Sequence, residues 1–331
     1  MKDYILILTN KDDESIEPVI EELKKIKANF FRFNTESFPL TTTIELALLN
    51  GKPIGSLSDK NGNTLINWEG IKSVWYRRPA SARIENEKLA ESCVQFIKNE
   101  SSTALWSLYT SLEVFWMNHP LISQRLLEHN KLYQLKEASV EGLDVPDTLI
   151  TNNPDKLLQF CQSHKGTVAV KLLKGGWFVK EGSNVPLSIF TQKITEDEIK
   201  NRFNEIRLAP VLAQEYIEKK LELRITIVGD NIFSCAIHSQ DSEQTKIDWR
   251  QYDFKNVKHE SWQLPAEIEV KLLLLMKKWG LTYGAIDMIL TPNGKYTFLE
   301  INPNGQWFWI EQITGMQISK AIAEILANPP K

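Results

Sequence analysis

The sequence predicts a mixed α/β chain built from more than one packed unit, and three observations predict it. Its 331 residues, 42% apolar and 24% charged, suffice for two or three units with substantial cores. The chain opens with an apolar run at Tyr4–Thr9, an amphipathic helical pattern and a second apolar run at residues 30–33. Such a β-α-β unit builds parallel sheets. Near the other end, residues 284–306 read as two strands around Asn293-Gly294. This dipeptide is a strong hairpin signal, because a type I′ turn needs positive φ at both central residues.

The elements follow in order. Ser15 can cap a first helix whose apolar face is Val19, Ile20, Leu23 and Ile26. No Gly-x-Gly-x-x-Gly follows the first strand, which argues against a dinucleotide fold. Residues 51–63, rich in Gly, Pro, Ser and Asn, predict a loop or a small hairpin. A strand over 71–76 ends in Arg77-Arg78-Pro79, a long helix over 85–111 follows, and His119-Pro120 marks a domain boundary. One helix over 123–140 carries Asn130-Lys131 and is broken by Gly142 and Pro146. Strands over 148–151 and 167–172 flank a helix over 154–164. Gly175-Gly176 then forms a hinge, followed by mixed strand character to residue 194 and a helix over 195–206. Strands over 211–217, 223–228 and 232–239 come next. The polar stretch 240–258 lacks periodicity and reads as a loop over the site. A helix over 266–279 is stopped by Gly280, and a last helix covers 318–326.

Composition removes several function classes. A formal net charge of −3 makes no electrostatic case for nucleic acid as a partner. Cys93, Cys161 and Cys235 are odd in number and scattered, which fits a reducing cytoplasm rather than a disulfide framework or a metal site. No signal peptide and no run of transmembrane length is legible, so no membrane partner is expected. His119, His129, His164, His238 and His259 form no helical pair enclosing an acid, so zinc is not expected and the five read as structural or solvated.

The hairpin carries the chemistry. With a two-residue loop, Pro292 faces Lys295 and Asp287 sits directly opposite Glu300. Opposed residues share a sheet face with Cβ atoms roughly 4.5–5.5 Å apart, where like charges repel. Asn302 lies on that face by the period of two, while Ile286, Met288, Leu290, Leu299 and Ile301 form the core face. Two carboxylates and an amide oxygen are hard ligands suited to Mg²⁺, above all with phosphates completing the octahedron. The alternative is a solvated strand face, since a register slip of one separates the acids.

Other residues suggest a nucleotide site. Gln214-Glu215-Tyr216-Ile217 ends a strand whose backbone groups can pair with an adenine edge. Glu222 can accept from ribose hydroxyls, and Arg224, facing the same way, can reach phosphate. Lys131 and Lys171 are candidate phosphate ligands, and the Gly175-Gly176 amides can cover phosphates. Each has a plainer reading: a lone Lys is a solvated surface group, and Glu222 with Arg224 a surface pair worth under about 1 kcal/mol.

Their order along the chain resembles the ATP-grasp superfamily of carboxylate-amine ligases over about residues 120–328, with the first 110 or so as a pre-ATP-grasp domain. Within it, Trp75-Tyr76-Arg77-Arg78, Asp248-Trp249-Arg250 and Asn302-Pro303-Asn304-Gly305-Gln306-Trp307 resemble the microviridin-type (graspetide) peptide ligases. The resemblance implies an ATP-grasp fold in three parts: residues 1–118, a central part 119–207 where a leader peptide docks, and 208–331 with the Mg-ATP site. It implies a cytoplasmic, ATP- and Mg²⁺-dependent enzyme, homodimeric by family habit, acting on a ribosomal precursor peptide. The peptide carries a leader helix and an acidic core with Thr, Ser or Lys. An Asp or Glu side chain is activated as an acyl phosphate and closes a macrolactone or macrolactam. By position, Lys131 and Lys171 hold phosphates, Gln214 to Ile217 adenine, Glu222 ribose, and Asp287, Glu300 and Asn302 the metal, while Arg224 and Arg250 stabilise the transferring phosphoryl group.

The leader is expected near residues 177–194, with Trp177 and Phe178 as anchors or as core. Arg77 and Arg78 either meet acidic substrate residues or serve as a helix cap or interdomain ion pair. Two other functions stay open: a ligase adding free amino acids to a peptide or protein terminus, and a non-catalytic peptide-binding module. The absence of a Ser-His-Asp or Cys-His pattern fits a reaction that needs alignment and positive charge rather than a protein nucleophile.

Overall fold

In the computed structural model, which describes residues 3–85, 88–128, 130–174, 177–179 and 186–330 (177–179 and 186–188 by their backbone), the opening β-α-β unit forms as the apolar runs require. Among the described residues before 120 the strands are β1 (Tyr4–Thr9), β2 (Phe30–Asn34), β3 (Thr42–Leu49), β4 (Lys52–Asp59), β5 (Thr64–Asn67), β6 (Ile71–Tyr76) and β7 (Phe115–Met117). Strands β2-β1-β6-β7 form a parallel sheet. Helix Glu17–Lys25 buries Val19, Ile20 and Leu23, but Ile26, expected on the same face, lies just beyond the helix end and is exposed. Ser15 bonds to Asp13 within a 3₁₀ turn instead of capping the helix. The long helix runs Glu91–Ser111, shorter at its start than expected.

Of the loop and the small hairpin expected for residues 51–63 the hairpin forms, since β4 pairs antiparallel with β3 before it and β5 after it. The first turn of this sheet is Asn50-Gly51, with φ of 52° and 74° between paired Leu49 and Lys52. Both central residues have the positive φ of a type I′ turn. Leu6, Leu8, Phe33, Leu57, Trp68, Val74, Leu108 and Trp116 make one core.

Among the described residues there follow β8 (Thr148–Thr151), β9 (Thr167–Lys171), β10 (Trp177–Val179), β11 (Pro186–Ser188), β12 (Gln192–Thr195), β13 (Val211–Glu215), β14 (Leu221–Val228), β15 (Asn231–Ile237), β16 (His259–Ser261), β17 (Tyr283–Leu290) and β18 (Tyr296–Asn302). They make a sheet β12-β9-β13-β8, a sheet β16-β15-β14-β17-β18 and the hairpin β10-β11. Helices Pro154–Ser163, capped by Asn153, and Glu196–Asn201, opened by a Thr195/Glu198 capping box, cover the four-stranded sheet through Leu157, Cys161, Val168, Ile199 and Ala213. The single helix expected over 123–140 is instead a π-helical stretch, Leu121–Leu127, and an α-helix, Lys131–Val140. Lys131 therefore stands at a helix start.

The chain divides into two compact units: Met1–Ser123 with Leu281–Tyr283 and Gln317–Lys331, and Gln124–Gly280 with Gly284–Met316. The last helix, Ile318–Ala327, packs in the first unit against Glu17–Lys25 and β6, and Ser73 Oγ donates to Leu326 O at 2.7 Å.

The β17–β18 hairpin corrects one expectation and keeps another. Its loop holds three residues, not two: Thr291 N donates to Lys295 O at 2.9 Å and Gly294 N to Thr291 O at 3.0 Å. Gly294 alone in the loop takes a positive φ, of 84°. The longer loop shifts the register by one, so Met288 pairs with Phe298. A bulge at Leu299 shifts it back, and Asp287 pairs with Glu300. Leu299 consequently turns away from the core face assigned to it and lines the cleft beside Glu300.

Candidate active site

The cleft lies within the second unit, between the ends of β9 and β13 and the face of β14, β17 and β18. Of the residues singled out in the sequence, Lys171, Gln214, Glu215, Tyr216, Ile217, Glu222, Arg250, Asp287 and Glu300 line it. Strand β14 lies between β15 and β17 in the sheet and buries every residue of its length. Its polar side chains must therefore find partners inside the protein.

Asp287 and Glu300 each have one. Arg224 Nη1 lies 3.0 Å from Asp287 Oδ1, and Lys131 Nζ lies 2.6 Å from Glu300 Oε2. Burial raises the Asp287 carboxyl and the Glu300 charge adds to it, against the pull of Arg224. Burial would also raise Glu300, but Lys131 and Lys171 outweigh it and bring the carboxyl down to about 2. Burial, aided by Lys131, takes the Lys171 ammonium down to about 8. Arg224 also donates to Gln306 O at 3.2 Å and has its guanidinium carbon 5.9 Å from the Trp249 ring centre. Gly305 makes room for it, since a Cβ there would stand 2.7 Å from Arg224 Nη2 and 2.4 Å from the Ala285 Cβ.

The surface-pair reading of Glu222 and Arg224 fails, because they are only 5% and 7% exposed and hold separate partners. Glu222 Oε1 accepts from Lys219 Nζ at 2.9 Å, and burial lifts its carboxyl despite that lysine. Gln214 Nε2 donates to Thr148 Oγ1 at 3.0 Å, and Lys193 Nζ lies 4.1 Å above the Tyr216 ring.

Loop 240–258 does reach the cleft. Asp248 accepts from Arg250 Nε at 2.8 Å and Nη2 at 2.5 Å, from the Arg250 backbone N–H at 3.1 Å and from Thr191 N at 2.9 Å. Burial opposes ionisation of Asp248, yet Arg250 holds its carboxyl well below the usual range, and Asp248 in turn lifts the guanidinium. A planar fork held on two oxygens has little freedom to turn.

Asn302 closes β18 two residues beyond Glu300, and the Cβ position of Gly305 lies 3.4 Å from the Asn302 Cβ and 2.7 Å from Arg224 Nη2. Asn302 pairs with Ala285, is exposed, and its Oδ1 accepts from Asn304 N at 2.9 Å. Gly175-Gly176 and His129 lie outside the described residues, as do the Trp177 and Phe178 side chains. Sequence reasoning missed Lys219, Asp248 as the holder of Arg250, and Leu299. Lys219 lies three residues before Glu222, outside any strand, and nothing in its neighbourhood marks it.

Among the described residues no three His, Cys, Asp or Glu gather as metal ligands, and no helix is long and apolar enough to cross a membrane. The metal donors on offer are two opposed carboxylates and one amide, all oxygen.

Known proteins resemble this chain over nearly its whole length. Residues 121–326 match the RimK-like ATP-grasp domain and residues 4–123 the MvdD pre-ATP grasp domain. A Chryseobacterium gregarium RiPP-associated ATP-grasp ligase, solved with ADP and a leader and core peptide, is 32% identical with a TM-score of 0.90, covering 99% of this chain and 98% of that one. The macrocyclase MdnC of Microcystis aeruginosa, solved with its precursor peptide MdnA, is 33% identical with a TM-score of 0.85, covering 98% and 99%. A probable alpha-L-glutamate ligase of Shewanella loihica is 25% identical over 237 residues, 69% of this chain and 72% of that protein.

Proposed function

The chain belongs to the RimK-like ATP-grasp family of ligases, and from that premise we propose that it is an ATP- and Mg²⁺-dependent macrocyclase of a ribosomal precursor peptide, of the microviridin type. What carries this reading is the pair Asp287 and Glu300, opposed across β17–β18 and ringed by Lys131, Lys171, Arg224 and Arg250. A peptide-binding module that has lost ATP chemistry has no use for two like charges placed face to face.

Asp287 and Glu300 would supply oxygen ligands for the metal, with Asn302 at the end of β18 as a third. Held there, Mg²⁺ would offset the charge that phosphoryl transfer develops on phosphate oxygens. Lys131 and Lys171 hold phosphates, Gln214 to Ile217 take the adenine and Glu222 the ribose. A side-chain carboxylate of the peptide attacks the γ-phosphorus of ATP and becomes an acyl phosphate, releasing ADP. A Thr or Ser hydroxyl, or a Lys amine, of the same peptide attacks the acyl carbon, loses its proton and expels phosphate. Arg224 and Arg250 stabilise the negative charge in both steps, and alignment supplies the rest. The functional division follows residues 1–118, 119–207 and 208–331, the middle part receiving the leader. A cytoplasmic homodimer completes the reading.

The kinship with glutamate ligases favours one other reading, transfer of free amino acids to a peptide terminus. Intact mass of an acidic, Thr- or Lys-containing leader–core peptide, after incubation with the protein and Mg-ATP, separates the two. Loss of one water per ring is the expected outcome. Gain of an amino-acid residue mass would establish the terminal ligase instead.

A further inference from the structure

Beside the cleft lies a strip of aromatic side chains that the nucleotide chemistry does not use. It starts at Trp249, whose ring meets Arg224 and stacks at a tilt on Trp309 with centres 5.3 Å apart. Tyr252 packs edge-on to Trp249 at 5.6 Å and stacks on Phe254 at 5.2 Å, and His259 and Phe254 close on Trp309 at 5.6 and 6.1 Å. At its outer end Phe254, Val257, His259, Trp309, Gln312 and Ile313 line a cavity of about 430 Å³.

Three features set this strip apart from ordinary core. Tyr252, Phe254 and Ile313 are 46%, 52% and 44% exposed, so the rings meet water where a core would shield them. Tyr252 holds φ at +43°, a region that bulky residues avoid and that persists where surrounding structure enforces it. The strip is also continuous with the charged cleft, because Trp249 lines that cleft beside Arg224 and Tyr252 packs on Trp249.

We propose that the exposed part of this strip, from Tyr252 to Ile313, is the groove that takes a large apolar or aromatic residue of the peptide substrate lying next to the carboxylate being activated. The inference rests on the macrocyclase reading for the identity of its occupant. An acidic side chain entering beside Arg224 and Arg250 brings its neighbours along the chain past Tyr252. A ring there stacks on Phe254 and Trp309 and removes their exposed faces from water. The groove thereby selects which acid of several reaches the phosphates, a choice that the oxygen ligands of the metal cannot make.

The test uses the full chain with Mg-ADP and two short fluorescein-labelled acidic peptides, identical except for Trp or Ser beside an Asp-Glu pair, read by anisotropy. The Trp peptide is expected to bind about tenfold tighter, the scale of one well-seated aromatic anchor. Phe254→Ala and Ile313→Ser, made separately at exposed positions, are expected to remove most of that ratio and leave Mg-ADP affinity unchanged. Equal affinity, no binding of either peptide, or a preference that survives both variants overturns the proposal. Mass analysis of a leader-bearing precursor runs in parallel. Cyclisation without the preference removes the groove alone, whereas the preference without cyclisation leaves the groove standing and removes the macrocyclase.

Discussion

Asp287 and Glu300 stand directly opposite each other on β17 and β18, yet each leans on a cation from a different element: Arg224 of β14 for one, Lys131 at a helix start for the other. Separate cations let two like charges share one sheet face, and they also make the two acids unequal. Glu300 is held down to about 2 by its lysines, while burial and the Glu300 charge hold Asp287 up. A divalent cation entering between them would take over the work of both ion pairs.

On the proposed reading, Asp287→Asn and Glu300→Gln each remove one anionic metal ligand while keeping the shape of the side chain. Ligation should fall by on the order of 100- to 1,000-fold, the scale of losing one preorganised charged group. Circular dichroism should stay unchanged. Wild-type turnover in either variant rejects the metal assignment.

Lys171 sets a pH dependence. On the proposed reading phosphate binding needs its ammonium, which burial brings down to about 8 from the 10.5 of an ordinary lysine. Affinity for Mg-ATP should therefore fall as pH rises above 8, by up to about tenfold per unit. Binding at pH 9 should take up a proton, measured by titration calorimetry in buffers of different ionisation enthalpy. The linked effect on stability has the opposite sense. The unfolded chain binds the proton more tightly between pH 8 and 10.5, so this group alone makes stability rise with pH across that window. Lys171→Arg should abolish both trends.

Asp248 acts through Arg250. Asp248→Asn loses the charge that holds the guanidinium fork and weakens the bond to Thr191 N. The expected loss in kcat is about 10- to 100-fold, as for other residues that orient a reacting group, with a smaller change in KM for ATP. Arg250→Lys should not restore the geometry, because a single ammonium cannot take both carboxylate oxygens. Equal losses in kcat and affinity would point to a misfolded loop.

Arg77 belongs to the frame of the first unit. It is 2% exposed, lies 3.7 Å from Asp13 Oδ2, and donates to Ser15 Oγ at 3.2 Å, while burial brings its guanidinium down to about 10. Arg77→Ala should cost about 3–5 kcal/mol in urea unfolding, since it leaves a buried carboxylate without its cation. Arg78 is exposed, and Arg78→Ala should leave stability within about 0.5 kcal/mol.

Much of the architecture was legible in the chain itself, because apolar periodicity and turn residues act over a few positions. The β-α-β opening and most strands of the second unit follow from apolar periodicity and from turn chemistry. The hairpin also marks the limit of such reasoning. The type I′ turn belongs to Asn50-Gly51, whereas Asn293-Gly294 sits in a longer loop whose shifted register is undone by the bulge at Leu299. A bulge answers to packing on both faces of a sheet, and no neighbouring residue announces it.

The charge pairings were beyond local reading altogether. That Glu300 takes Lys131, Asp287 takes Arg224, and Asp248 joins Arg250 to Thr191 depends on residues up to 169 positions apart. The last helix packing against β6 is decided in the same way. The amino-acid sequence determined which residues carry charge and which face of each strand bears them. Only the folded chain decided which charges meet, because ion pairing between distant segments depends on where chain folding leaves them and on how much water it removes.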